Sequence, residues 1–123
     1  MQESLILFAH GARDPAWAAP FERLRALTRA AMPAVGVELA FLELMQPDLP
    51  TVVAQQVAAG SRRVTVIPVF LGQGGHVRRD LPQLLEQLRQ AHPEVEIRTV
   101  PAVGEDEAVL QAIAAYCIGT LQS

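Results

Sequence analysis

The sequence predicts an α/β domain spanning residues 1–123, with a four-stranded parallel sheet between two layers of helices. Three observations carry this. Short apolar runs alternate with segments of helical period in the order β-α-β-α-β-α-β-α. Gly, Pro and Asp punctuate nearly every change from one to the other. The 123-residue length suits one domain, and half of the residues are apolar, enough for a real core. Right-handed crossovers then favour the spatial strand order 2-1-3-4. In that order the winding reverses between strands 1 and 3, and ligands bind beyond the C-terminal edge at such a reversal.

The elements follow in order. Ser4 to Ala9 is a continuous apolar run, as in a strand buried on both faces. Asp14 offers an N-cap, and Pro15 suits the first helical position. The helix after it carries Trp17, Phe21, Leu24, Leu27 and Ala31 on one stripe and tolerates Pro20 in its first turn; Pro33 and Gly36 end it. Val37 to Leu42 forms strand 2, with Glu43 at its end. Asp48 caps a helix presenting Leu49, Val52, Val53 and Val57, which Gly60 closes.

Arg63 to Phe70 is the most apolar strand. Pro68 within it predicts a bulge or the end of pairing, because proline has no donor for a ladder. Asp80 and Gln83 resemble a capping pair, so the third helix is expected from there, with Leu81, Leu84, Leu85 and Leu88 inward. Val95 to Val100 alternates like an edge strand. Glu105 or Asp106 starts a last helix, with Leu110, Ile113, Ala114, Cys117 and Leu121 expected to face inward.

Composition removes several functions. A net charge of −3 makes nucleic acid and anionic membranes poor partners. The apolar runs are too short to span a bilayer, and the N-terminus shows no signal-peptide pattern, so a cytoplasmic protein is expected. The single cysteine, Cys117, excludes an internal disulfide and a cysteine-cluster metal site. All ten basic residues are arginine, which removes Schiff-base and P-loop lysine chemistry and leaves planar forks suited to carboxylate or phosphate.

Two segments share one layout of strand, histidine, arginine and helix start. One is Leu5 to Asp14, containing His10 and Arg13; the other is Val66 to Asp80, containing His76, Arg78 and Arg79. The topology brings His10 and His76 to one sheet edge, with Glu43 ending strand 2 on the same edge. Two imidazoles and a carboxylate can hold a divalent first-row metal while leaving positions open for a substrate. Glu43 suits either a third ligand or a proton acceptor. Arg13, Arg78 and Arg79 can pair with substrate carboxylates, though one of the three is expected to be an ordinary solvated charge. Gly72, Gly74 and Gly75 fit a phosphate cradle, a loop with positive φ, or an opening for a bulky planar ligand. His92, before Pro93 at a helix end, reads as a cation facing the helix dipole.

These residues resemble the short-form class II chelatases, the CbiX/SirB-type sirohydrochlorin cobaltochelatase and ferrochelatase family. The likeness rests on Ala9 to Pro15, on Ala40 to Glu43 with Pro47, and on Pro68 to Pro82 around His76. Ala12 departs from it mildly, where serine is expected. The resemblance implies a flavodoxin-like lobe in which His10 and His76 bind the incoming metal and Glu43 assists. It implies a lyase that inserts Co²⁺, or alternatively Fe²⁺ or Ni²⁺, into sirohydrochlorin in cobalamin or sirohaem biosynthesis. The metal is then a substrate, and no organic cofactor is expected. Arg13, Arg78, Arg79, Gly74 and Gly75 would meet the carboxylate-rich macrocycle. Larger relatives place two lobes across the tetrapyrrole, so a homodimer is expected of a single lobe. Two competing readings use the same residues: a mannose-type phosphohistidine carrier acting through His10, and a non-catalytic metal or tetrapyrrole binder.

Overall fold

The computed structural model describes residues 3–72 and 74–122, except for the side chain of His76. Four strands form one parallel sheet: β1 (Glu3–Ala9), β2 (Gly36–Phe41), β3 (Arg63–Pro68) and β4 (Glu96–Thr99). Their spatial order is β2-β1-β3-β4, the order favoured from the sequence. β1 is therefore central, and Ile6, Leu7, Phe8 and Ala9 are all buried, which explains its unbroken apolar run. Phe8 pairs with Pro68, where β3 ends; Val69 still donates to the Phe8 carbonyl at 2.8 Å. Pro68 thus marks the end of pairing, two residues short of the expected strand end at Phe70. β4 buries only Ile97, as the alternating edge pattern predicts.

The helices are α1 (Ala19–Ala31), α2 (Leu49–Ala58), α3 (Gly75–Ala91) and α4 (Glu107–Gly119). A short 3-10 turn, Pro15–Ala18, leads into α1 and is capped by Asp14. The α2 and α3 stripes cover one sheet face, where Leu49, Val52, Val53, Val77, Leu81, Leu85 and Leu88 meet Ile6, Phe8, Val64 and Val66. α1 covers the other face alone, with Trp17, Phe21 and Leu24 over Leu7, Leu39 and Phe41. Leu27 and Ala31, expected on that stripe, are exposed, because the stripe drifts off the sheet toward the helix end. Among the described residues no helix is long and apolar enough to cross a membrane.

Two expectations are corrected. α3 begins at Gly75, with Gly74 as its N-cap, so Asp80 lies inside the helix and does not cap it with Gln83. Burial of Val77 beneath the first turn extends the apolar stripe back past Asp80 and outweighs the capping pattern. Pro82 sits within α3, where it has no N–H to donate to the helix ladder. The second correction concerns α4. Leu110, Ile113, Ala114, Cys117 and Leu121 do not face inward, and every residue from Leu110 to Gln122 is exposed. No charged residue follows Glu107, so the sequence there offers no polar face to say which side is buried.

Asp48 ties the loop after β2 to α2. Its carboxylate accepts from the Thr51 N–H at 2.9 Å, and Pro50 lies in the first turn. Hydrogen bonding from the Thr51 side chain and backbone holds its pKa below the usual aspartate value. A carboxylate with a lowered pKa stabilises the fold above its unfolded value and loses that contribution as pH falls through the folded one. Asp48→Ala should cost about 1 kcal/mol in urea denaturation at neutral pH. The difference should shrink in acid below the carboxylate range.

Candidate functional site

The site begins as a continuation of the sheet. Beyond the last β1–β2 pair, Ala9 with Phe41, the backbone keeps parallel register for two more bonds. The Leu42 N–H donates to the Ala9 carbonyl at 2.9 Å, and the Glu43 N–H to the His10 carbonyl at 3.1 Å. This alignment sets the two side chains together: His10 Nε2 lies 3.2 Å from Glu43 Oε2. Both side chains are 49% exposed, so the pair is open to a large partner.

Neighbouring backbone holds this geometry. Gly11 has φ +99°, and a Cβ there would fall 1.8 Å from the Glu43 carbonyl oxygen. Only glycine allows the chain leaving His10 to pass so close. The same Glu43 carbonyl accepts from the Met45 N–H at 2.8 Å, and Leu44 between them takes φ +66°. On the other side of β1, the Phe70 ring stands edge-on to the His10 ring, with centroids 6.1 Å apart, and edge-on to Phe8 at 6.0 Å. Phe70 is in turn braced by the 3-10 turn Val103–Glu105, whose Gly104 N–H donates to the Phe70 carbonyl at 2.9 Å. A Cβ on Gly104 would meet the Leu71 carbonyl oxygen at 1.8 Å. Phe70 and Gly104 escape a reading of the sequence: one hides in an apolar run, and the other contacts a loop distant in sequence.

The third expected contributor arrives from β3. His76 is the second residue of α3, on the same C-terminal edge as His10 and Glu43, and its side chain lies outside the described residues. Gly72, Gly74 and Gly75 do not take positive φ, and a Cβ on any of them would meet nothing within 4 Å. Neither positive φ nor tight packing therefore accounts for these glycines. Arg13 is exposed in the loop that follows His10. Arg78 lines a hollow of about 280 Å³ between α3 and the end of β4, with Pro68, Leu81 and Thr99. Arg79 is 71% exposed, with Nε 3.8 Å from Asp80. His92 is the C-cap of α3, at the far end of that helix from His76.

Chemically, His10 and Glu43 are two Lewis bases within hydrogen-bond distance of each other. A divalent cation can bind there, since a neutral imidazole nitrogen and a carboxylate oxygen are both ordinary ligands of first-row metals. Among the described residues no three His, Cys, Asp or Glu side chains converge to form a complete cage. The described part is a two-donor arrangement on an exposed edge.

Fold and site together define an α/β lobe whose His–carboxylate pair sits at the strand ends beside the winding reversal. Residues 4–117 match the CbiX family model, and the chain belongs to that family. A sirohydrochlorin cobaltochelatase of Methanocaldococcus jannaschii is 32% identical over 90 residues, covering 73% of this chain and 63% of the relative. The matched stretch thus spans less than two thirds of that relative. A crystal structure of a cobalamin (vitamin B12) biosynthesis CbiX protein from Marinobacter aquaeolei VT8 superposes with TM-score 0.87 at 32% identity, covering 98% of both chains. The sirohydrochlorin chelatase SirB from Bacillus subtilis subspecies spizizenii, solved in complex with cobalt, shares the fold. It does so with TM-score 0.80 at 24% identity, and the match covers 94% of this chain but 49% of SirB.

The Gly11 contact can be tested directly. Gly11→Ala forces a left-handed alanine against the Glu43 carbonyl, and the combined strain and overpacking should cost about 2–4 kcal/mol. Urea denaturation monitored by circular dichroism measures it. A loss below about 0.5 kcal/mol would contradict the close approach.

Proposed function

We propose that the chain is a sirohydrochlorin metal chelatase, a lyase that inserts a divalent metal into a free-base tetrapyrrole and acts as a homodimer. The observation that carries this is the His10–Glu43 pair, open to solvent at the sheet edge where β1 and β2 run out. Family membership and the names of the relatives support it. Co²⁺ is the first choice of metal, on the cobaltochelatase and CbiX relatives, with Fe²⁺ next.

In this reading His10, Glu43 and His76 hold the metal loosely, as a substrate in transit. A tight cage would oppose the transfer. The free-base macrocycle carries two N–H protons that must leave as the metal enters. Glu43 takes one in this reading, since a carboxylate is a proton acceptor and its Oε2 lies within hydrogen-bond distance of His10 Nε2. Protonation of His10 or Glu43 weakens that group as a ligand, so accepting a pyrrole proton also releases the metal. Gly74 and Gly75 carry no side chain that would stand in the way of a wide planar substrate, and a Cβ on either would meet nothing within 4 Å. Arg13, Arg78 and Arg79 then pair with carboxylates on its rim. A phosphohistidine carrier fits less well, since a phosphoryl group on His10 would sit against the Glu43 carboxylate.

The test is an anaerobic spectrophotometric assay of metal insertion into sirohydrochlorin, with Co²⁺ and Fe²⁺ in turn. His10→Ala should lower the catalysed rate by about 100-fold or more, and Glu43→Gln by a similar factor if it takes the proton. Far-UV circular dichroism of both should match wild type, because the side chains are exposed. Wild-type activity should fall toward acid, where protons compete with metal for the imidazoles. A folded wild type that does not accelerate insertion of either metal would overturn the assignment. Loss in Arg13→Ala should appear in KM more than in kcat, if the arginine only holds the substrate.

A further inference from the structure

Away from α1, α4 and the residues after α4, two large apolar side chains are exposed among the described residues: Leu44 at 58% and Leu71 at 67%. Each comes one residue after a group that shapes the site, Leu44 after Glu43 and Leu71 after Phe70. Leu44 follows the end of β2 and Leu71 the end of β3, the two strands that pair with β1 on either side. His10 follows β1 between them. Two strand spacings put the chains that carry the leucines about 10 Å apart, on opposite flanks of His10.

Folding explains neither leucine. Leu44 takes φ +66°, a hand that leucine rarely adopts, in the tight turn that the Met45 N–H closes on the Glu43 carbonyl at 2.8 Å. Glycine or asparagine would suit that backbone better. The turn is not slack, because Gly11 passes close against the same carbonyl. Leu71 is held as firmly. A Cβ on Gly104 would fall 1.8 Å from the Leu71 carbonyl oxygen, and the Gly104 N–H donates to the Phe70 carbonyl at 2.9 Å. Two bulky apolar side chains are thus kept in water by closely packed backbone, one of them at a conformational cost. Strain of this kind concentrates at ligand-binding sites.

We propose that, given the tetrapyrrole substrate of the reading above, Leu44 and Leu71 contact the flat face of the macrocycle, one on each side of the His10–Glu43 pair. A free-base tetrapyrrole offers three kinds of surface. Its rim of carboxylates suits the arginines. Its centre, with the N–H groups, must come to the metal and to the His10–Glu43 pair. Its flat conjugated face is apolar, and no residue assigned so far meets it. Leucine suits that face, because apolar burial is favourable and non-directional, so the ring is held without being locked. Two contacts on opposite flanks also oppose tilting of the ring, which one contact could not do. Neither side chain carries an atom that ligates the metal, so the contacts do not compete with its transfer.

The test is equilibrium binding of metal-free sirohydrochlorin to the full chain, followed by absorbance, beside binding of Co²⁺ alone and the insertion assay. Leu44→Ala and Leu71→Ala should each weaken sirohydrochlorin binding by about 10-fold. Leu44→Met, which keeps the apolar volume, should bind within about 2-fold of wild type. The loss should be equal at low and high salt, since an apolar contact is not screened. Co²⁺ affinity should stay at the wild-type value. Leu44→Gly should lose the same binding yet keep the wild-type urea midpoint, because glycine accepts the turn. Full sirohydrochlorin affinity in either alanine variant would overturn the proposal. So would a loss of Co²⁺ affinity, or a lowered urea midpoint in Leu44→Gly, since either makes the leucine a support for the protein itself. Failure of the chelatase reading is scored separately. A wild type that binds sirohydrochlorin without inserting metal refutes that reading, and weak binding by the alanine variants then still establishes the contacts. A wild type that does not bind sirohydrochlorin overturns both.

Discussion

The parallel pairing of β1 with its two neighbours is the constraint on which the rest depends. β1 is buried on both faces, so its register is strongly specified; a slip of one residue would turn Ile6 and Phe8 toward α1 and Leu7 away from it. That same register runs on past the strands, through the bonds from Leu42 to Ala9 and from Glu43 to His10. The site is thus an extension of the ladder. It needs no loop of its own to set the distance between imidazole and carboxylate.

The two sides of β1 end differently, and the difference has structural use. Toward β2 the pairing persists and aligns polar groups. Toward β3 it stops at Pro68, and the freed chain turns Phe70 against His10 before entering the glycines. Phe70 gives the His10 ring an apolar wall without offering it a ligand or a proton. The opposite face of the imidazole and the Glu43 carboxylate stay open to solvent. One wall and one open side suit a site that must admit something larger than itself.

The layering is uneven as well. α2 and α3 both pack on one face, whereas α1 has the other to itself. The core is therefore larger on one side than on the other. The turn Val103–Glu105 links the smaller side to the site, because Gly104 holds the Phe70 carbonyl while α4 departs from the next residues.

The strand order and the presence of His10 and Glu43 at neighbouring strand ends were legible in the amino-acid sequence. Apolar runs, proline and glycine punctuation and handed crossovers are local or topological, and they suffice for a parallel sheet. The end of pairing at Pro68 was legible too, from a missing donor. Tertiary structure decided what depends on contact between distant segments. The 3.2 Å approach of His10 to Glu43 follows from register, and the requirement for glycine at 11 follows from a carbonyl more than thirty residues away. The start of α3 at Gly75 was decided by burial of Val77, which outweighs a local capping pattern. The exposure of α4 was hidden as well: its apolar residues read as a core-facing helix, and only the packing shows that they lie at the surface.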